Sequence, residues 1–335
     1  MNPVRIGVLG CGRIGRMHAE LIARQVPGAV VAAVYDVVDD ASAALANGLG
    51  VSQAAAPEEI LEADDVDAVA ICTSTHTHID LLVAAAEAGK AAFVEKPLAL
   101  NLADVDRGIA AVESAGIPVQ VGFNRRFDPS HRYVSDRVAA GEIGDVHLVR
   151  ISSRDPEPPP LMYLDESGGI FCDMTIHDFD MIRFVTQSEV TEVYATGAVL
   201  IDEAIGEVGD LDTAVIVCHH ENGAISTIDN SRQAVYGYDQ RVEAFGSAGM
   251  AASENPLTAT AITRTADGAQ APTLPYFFLE RYIPSYVAEW EAFISMMQGE
   301  PSPVTMADGR APLVIGLAAW RSVREQRPVR IDEIG

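Results

Sequence analysis

The stretch that decides the fold is Val4-Arg5-Ile6-Gly7-Val8-Leu9-Gly10-Cys11-Gly12-Arg13-Ile14-Gly15. An apolar run of strand length ends at Gly10, and residues 14–23 carry apolar side chains at helical spacing. Gly10, Gly12 and Gly15 make a Gly-x-Gly-x-x-Gly pattern between the two. In a chain with 27 glycines the pattern alone is weak. Its place after a strand and at the opening of a helix gives it meaning. The first glycine permits a tight turn, the second lets backbone approach a pyrophosphate, and the third lets helix and strand pack closely. The helix N-terminus, with Arg13 and Ile14, adds free N–H groups and partial positive charge for phosphates. The alternative is a glycine turn of purely structural use.

Working outward, residues 30–35 form the next strand candidate and end at Asp36, about 20 residues beyond the last glycine. A carboxylate there accepts ribose hydroxyls and repels a 2′-phosphate. Val37 follows, where an arginine would suit NADP. NAD is therefore the expected cofactor, although Asp36 also suits a turn or helix cap. Helical stretches at 41–49, 79–88 and Leu102–Ala115 alternate with strand candidates at 68–72, 92–95 and Val119–Gly122. Strands alternating with helices imply βαβ units and a parallel sheet. Residues 1–122 thus read as a Rossmann domain.

Beyond 122 the pattern changes. Asp128-Pro129 looks like an N-cap followed by proline at the first helical position. A strand is expected at 146–153, and a long loop at 154–169 around Pro158-Pro159-Pro160. A helix is expected at 170–185. Strand-like runs at 192–199, 214–219, 224–230 and 241–245 follow without helices between them, which implies antiparallel pairing. Helices are expected at 285–297 and 311–324. The fold class is α/β: a Rossmann domain, then an α+β domain at 123–335 with an open, mainly antiparallel sheet, its last helix free to pack back on the first domain.

The net charge of −25 disfavours nucleic acid and anionic membranes, whose binding rests on clustered lysine and arginine. Cys11, Cys72, Cys172 and Cys218 are scattered, with no metal or disulfide spacing. The N-terminal apolar run is too short for a signal peptide, and no run reaches the roughly 20 residues of a membrane span. A cytoplasmic protein is expected.

Glu95-Lys96-Pro97 follows a strand of the first domain. Gly122-Phe123-Asn124-Arg125-Arg126-Phe127-Asp128 stands at the junction. Ser167-Gly168-Gly169-Ile170-Phe171-Cys172-Asp173-Met174-Thr175-Ile176-His177-Asp178-Phe179-Asp180 follows the proline loop. Together they resemble the glucose–fructose oxidoreductase and inositol dehydrogenase (Gfo/Idh/MocA) superfamily over nearly the whole chain. Arg154-Asp155-Pro156, Tyr236-Gly237-Tyr238-Asp239 and Glu280-Arg281-Tyr282 extend the resemblance to its inositol 2-dehydrogenases. The resemblance implies oxidation of one ring hydroxyl of myo-inositol to the ketone with NAD, in a homo-oligomer, as a tetramer built through the open sheet. It implies Lys96, Asp173 and His177 as the catalytic set. Thr73, Ser74, His76, Glu95 and Lys96 would line the cofactor, and Lys96, Arg126, Asp155, Asp173, His177, Asp180 and Tyr236 would contact the polyol. Other inositol isomers or sugars, or a non-catalytic cofactor-binding regulator, are the alternatives on the same fold.

The residues suit that chemistry. Removing hydride from a secondary alcohol leaves a hydroxyl proton, for which His177 is the natural base. Asp173 stands one helical turn earlier and would hold the imidazole's tautomer, while Asp180 would extend the same stripe. A solvated polar helix face is the competing reading. Lys96 would hold the reacting oxygen. Thr75-His76-Thr77-His78 and His219-His220 lack zinc-site spacing, so no metal is expected.

Overall fold

The computed structural model describes residues 2–335, and the chain divides into two compact units. The first contains residues up to 124 together with 284–313; the second contains 125–283 and 314–335.

In the first unit the strands are β1 (Val4–Leu9), β2 (Ala29–Tyr35), β3 (Ser52–Gln53), β4 (Ala68–Ile71), β5 (Ala91–Glu95) and β6 (Val119–Gly122). The helices between them are α1 (Arg13–Gln25), α2 (Asp39–Leu49), α3 (Pro57–Leu61), α4 (His78–Glu87) and α5 (Leu102–Ala115). The sheet order is β3-β2-β1-β4-β5-β6, with every pair parallel. This is the doubly wound dinucleotide-binding order, whose direction reverses between β1 and β4. β4 and β5 are buried along their whole length, as strands covered on both faces must be.

Residues 284–313 join this unit because they complete its core, so the second domain does not run unbroken from 123 to 335. Trp290 and Phe293 pack with Phe93 of β5, ring centroids 4.6 Å (Phe93–Trp290) and 5.2 Å (Trp290–Phe293) apart. Such aromatic pairs contribute about 0.5–1.5 kcal/mol each beyond their buried area.

The second unit contains α6 (Pro129–Ala139), β7 (Val146–Arg154), α7 (Leu161–Glu166), α8 (Gly169–Asp173), α9 (Ile176–Thr186), β8 (Val190–Ala198) and α10 (Glu203–Glu207). It continues with β9 (Thr213–His220), β10 (Ile225–Ser231), β11 (Asp239–Gly246), β12 (Gly249–Ser253) and the hairpin β13 (Thr263–Thr265) and β14 (Gly268–Gln270). Helices α11 (Phe278–Met297) and α12 (Met306–Glu325) pass between the units, each with an internal proline close to the crossing, and β15 (Val329–Arg330) closes the chain. The large sheet runs β12-β11-β7-β10-β9-β8-β15. It is antiparallel except where β10 lies parallel to β7. As read from the sequence, Asp128 caps α6, accepting from the N–H groups of Ser130 and His131, with Pro129 next. One sheet face is core, with Val149, Ile151, Ile216 and Ala244 packed on Phe171, Phe179 and Ile182.

Two local expectations change. The stretch 154–169 is not all loop, because residues 161–166 form α7 once past the prolines. The helix expected at 170–185 is two helices, α8 and α9, separated at Met174 and Thr175. Among the described residues no helix is long and apolar enough to cross a membrane.

Candidate active site

In the first unit the glycine turn follows β1 into α1. Gly10 has φ +96°, and a Cβ there would meet the Cys72 carbonyl group at 2.6 Å and the Thr73 nitrogen at 2.7 Å. The loops after β1 and β4 therefore touch at the reversal point of the sheet. A Cβ on Gly15 would lie 1.8 Å from the Gly10 carbonyl oxygen. Gly12, the N-cap of α1, is exposed and has nothing within 4 Å of its missing Cβ. That open backbone at a 13-residue helix's N-terminus is what a pyrophosphate needs. Asp36 is held ready: one carboxylate oxygen accepts the Cys11 N–H at 2.6 Å and the other the Val38 N–H at 2.8 Å. Each oxygen retains a lone pair for a ribose hydroxyl. The intervening Cys11 is no nucleophile, since burial and Asp36 push its thiol up to about 12.

Ser74 and His76 are exposed beside Thr73, whose hydroxyl bonds Thr77 at 2.7 Å. His78 is buried, with one ring nitrogen 2.9 Å from the Pro97 carbonyl and the other 3.0 Å from that of Thr73. It ties the loop after β4 to the loop after β5. Among the described residues no group of three or more His, Cys, Asp or Glu is placed to hold a metal.

Glu95 ends β5, and its carboxylate accepts from the Lys96 N–H at 3.1 Å and from His18 Nε2 at 2.8 Å. The Trp290 indole N–H lies 2.8 Å from His18 Nδ1. An indole only donates, so His18 Nδ1 accepts and its Nε2–H faces Glu95. This buried series fixes the Glu95-Lys96 turn. Neither His18 nor Trp290 was legible as part of it, because the contact spans 272 positions.

In the second unit, α8 and α9 carry Asp173 and His177. From 169 to 182 every residue is buried except these two. They do not share one continuous helix; Asp173 ends α8 and His177 lies in the first turn of α9. Asp173 accepts from the Tyr163 hydroxyl at 2.8 Å and from Arg232 at 3.3 Å. Asp180 does not extend the accessible stripe. It is buried in a bidentate pair with Arg126, at 2.8 and 2.6 Å.

The charged residues near 125 are paired one by one. Arg125 meets Asp178 at 2.6 Å, Arg126 meets Asp180, and Asp128 meets Arg281 at 2.5 Å. Asp178 also accepts from Asn230 at 2.8 Å, and Thr175 donates to Asn230 at 2.6 Å. The start of α9, where His177 sits, is thus pinned on both sides. Removing one partner of a buried ion pair costs about 3–5 kcal/mol, so this region is stiff. Tyr236 is exposed, its hydroxyl donating to Asp239 at 2.7 Å and accepting from Arg154 at 3.1 Å.

Asp155 lies at the end of β7. Burial and the nearby Asp173 carboxylate push it up to about 6, against the opposing pull of Arg125 and Arg232, with Asp178 adding to the rise. Its protonated form is favoured by folding, so its contribution to stability is full below the ordinary aspartate range and is lost as pH rises through about 6. Above that pH the ionised carboxylate is the better hydroxyl acceptor. Were Asp155 to accept a substrate hydroxyl, KM for that substrate would fall as pH rises through about 6, and Asp155→Asn would abolish that dependence. Initial rates across pH for both proteins check this; an unchanged profile in Asp155→Asn would refute it.

Residues 4–123 match the model of the GFO/IDH/MocA oxidoreductase family, NAD-binding Rossmann fold, and residues 131–252 match a GFO/IDH/MocA C-terminal domain. The chain is 48% identical to myo-inositol 2-dehydrogenase of Thermotoga maritima, over 99% of each chain. It is 44% identical to inositol 2-dehydrogenase of Rhizobium meliloti, over 98% of this chain and 99% of that one. Its fold superposes with a TM-score of 0.91 on scyllo-inositol dehydrogenase of Lactobacillus casei with bound NAD(H) and scyllo-inositol. That structure is 28% identical, covering 99% of this chain and 100% of the other.

Proposed function

The chain belongs to the GFO/IDH/MocA oxidoreductase family, and from that membership we propose that it oxidises myo-inositol at one ring hydroxyl to the ketone, with NAD as acceptor. The observation that carries the reading is the pair Asp173 and His177, the sole accessible side chains in an otherwise buried stretch of 14 residues, 169–182. Bound NAD would supply the acceptor for the hydride of the alcohol carbon. Gly10, Gly12, Arg13, Ile14 and Gly15 would hold its phosphates, and Asp36 its ribose. Thr73, Ser74 and His76 follow β4 and Glu95 ends β5, all in the first unit.

The protein's own task is the proton. An imidazole nitrogen of His177 accepts the hydroxyl proton, and Asp173 stabilises the imidazolium that forms. Lys96 donates hydrogen bonds to the reacting oxygen and offsets its growing negative charge. Asp155 and Tyr236 offer acceptors for the remaining hydroxyls, while Arg126 and Asp180 shape the site through their mutual pair. The experiment is NADH production from a panel of polyols: turnover fastest with myo-inositol supports the reading, and protein that binds NAD yet oxidises no inositol overturns it. A scyllo-inositol preference is the second reading, favoured by the L. casei relative with that ligand.

A homo-oligomer, a tetramer in the fullest form, is also proposed. The outer face of the large sheet carries Met250, Phe245 and Leu148 in adjacent register on β12, β11 and β7, with Val215 and Tyr194 further across. Each is 42–52% exposed. The adjacent row Met250, Phe245 and Leu148 suits a second copy of the same chain. Phe245→Glu with Leu148→Glu is expected to give a smaller species by light scattering. Wild-type protein that is already monomeric at micromolar concentration would contradict the assembly.

A further inference from the structure

The helix that carries Asp173 cannot hold itself. α8 has only five residues, and a single isolated helical turn is unfavourable in water. Its two ends are instead gripped by one buried pair of side chains that the proposed reaction does not use. Asp210 accepts the Ile170 N–H at 2.8 Å, at the start of α8. Arg232 reaches Asp173 at 3.3 Å, at its end. The same guanidinium bonds Asp210 at 3.1 Å, closing the bracket. Arg232 is fully buried, a rare setting for an arginine unless it is paired.

The preceding turn is shaped to admit this bracket. Gly169 has φ +73°, and a Cβ there would lie 2.7 Å from Asp210 Oδ1 and 2.5 Å from the Trp320 ring. Trp320 donates to the Gly168 carbonyl at 3.0 Å, fixing the turn from the other side. Gly169 therefore serves the approach of Asp210.

We propose that Arg232, braced by Asp210, is a positioning residue for the Asp173 carboxylate, holding it aimed for its work beside His177. The inference rests on the reading of Asp173 as a catalytic residue. A planar fork suits the task, because two N–H groups at a fixed angle join two carboxylates whose separation is then set.

The test is a mutant cycle in the full-length protein, with myo-inositol and NAD as substrates. Arg232→Met is expected to lower kcat about 10- to 100-fold, the scale of a misplaced catalytic group. Arg232→Lys should recover part of that loss, since it restores charge without the fork. In an Asp173→Asn background, Arg232→Met should change kcat less than about 3-fold, because the group it positions is already disabled. A merely structural role would give a loss that multiplies in both backgrounds, and that outcome overturns the proposal. Arg232→Met within about 2-fold of wild type, beside an impaired Asp173→Asn, overturns the proposal alone. An Asp173→Asn enzyme with full activity overturns the reading of Asp173 and the proposal with it. If Arg232→Met does not fold, Asp210→Asn carries the same cycle, since its amide oxygen still accepts the Ile170 N–H while the ion pair is lost.

Discussion

His177→Ala is expected to lower kcat/KM for myo-inositol oxidation by about 10²–10⁴-fold, the contribution of a positioned general base. NAD binding, titrated by fluorescence on the same preparation, should stay near wild type. The glycine turn and Asp36 that would hold NAD lie in the first unit, whereas His177 lies in the second. Stability should change little, because the Arg125–Asp178 and Arg126–Asp180 pairs that pin α9 are left in place. Asp173→Asn should also reduce kcat, since an amide favours the wrong imidazole tautomer. Lys96→Ala should be severe for another reason: the reacting oxygen loses its cationic partner. Turnover of His177→Ala within a few-fold of wild type, with NAD binding intact, would remove His177 as the base and leave Lys96 as the alternative.

Asp36→Ala should reduce kcat/KM with NAD by about 10- to 100-fold, as expected for losing hydrogen bonds to a charged acceptor. With NADP the same change should raise it, because the charge opposing a 2′-phosphate is gone. The carboxylate is held by the N–H groups of Cys11 and Val38, so its removal also frees the turn between β1 and α1. The measurement is kcat/KM for both cofactors in both proteins. Equal wild-type values for NAD and NADP would contradict the role of Asp36.

The first unit was legible because its signals are local. A strand, a glycine turn and a helix follow one another within 25 residues, and β5, α5 and β6 came out at or within one residue of their observed bounds. The second unit was legible as strands and helices but not in its details. α7 was missed because its signal is a single turn beside three prolines. The break at Met174 and Thr175 was missed because apolar spacing runs through it. What bends the chain there is a tertiary bond, from the Thr175 hydroxyl to Asn230, 55 residues away.

The site followed the same rule. Asp36, Lys96, Asp173 and His177 stand on turns and helix ends that local patterns mark. Asp180 reads from the sequence as an acceptor for substrate, while its pairing with Arg126, 54 positions off, leaves no local pattern. His18 and Trp290, which bond around Glu95, and Asp210 and Arg232, which bond around Asp173, carry no local pattern at all. They are recognisable only from what they touch.

The most direct test is NADH absorbance in purified protein given myo-, scyllo- and chiro-inositol and glucose, each with NAD and with NADP. The account predicts the fastest turnover with myo-inositol and NAD, weaker turnover with the other polyols, and little with NADP. Protein that binds NAD yet oxidises none of the inositols would contradict it.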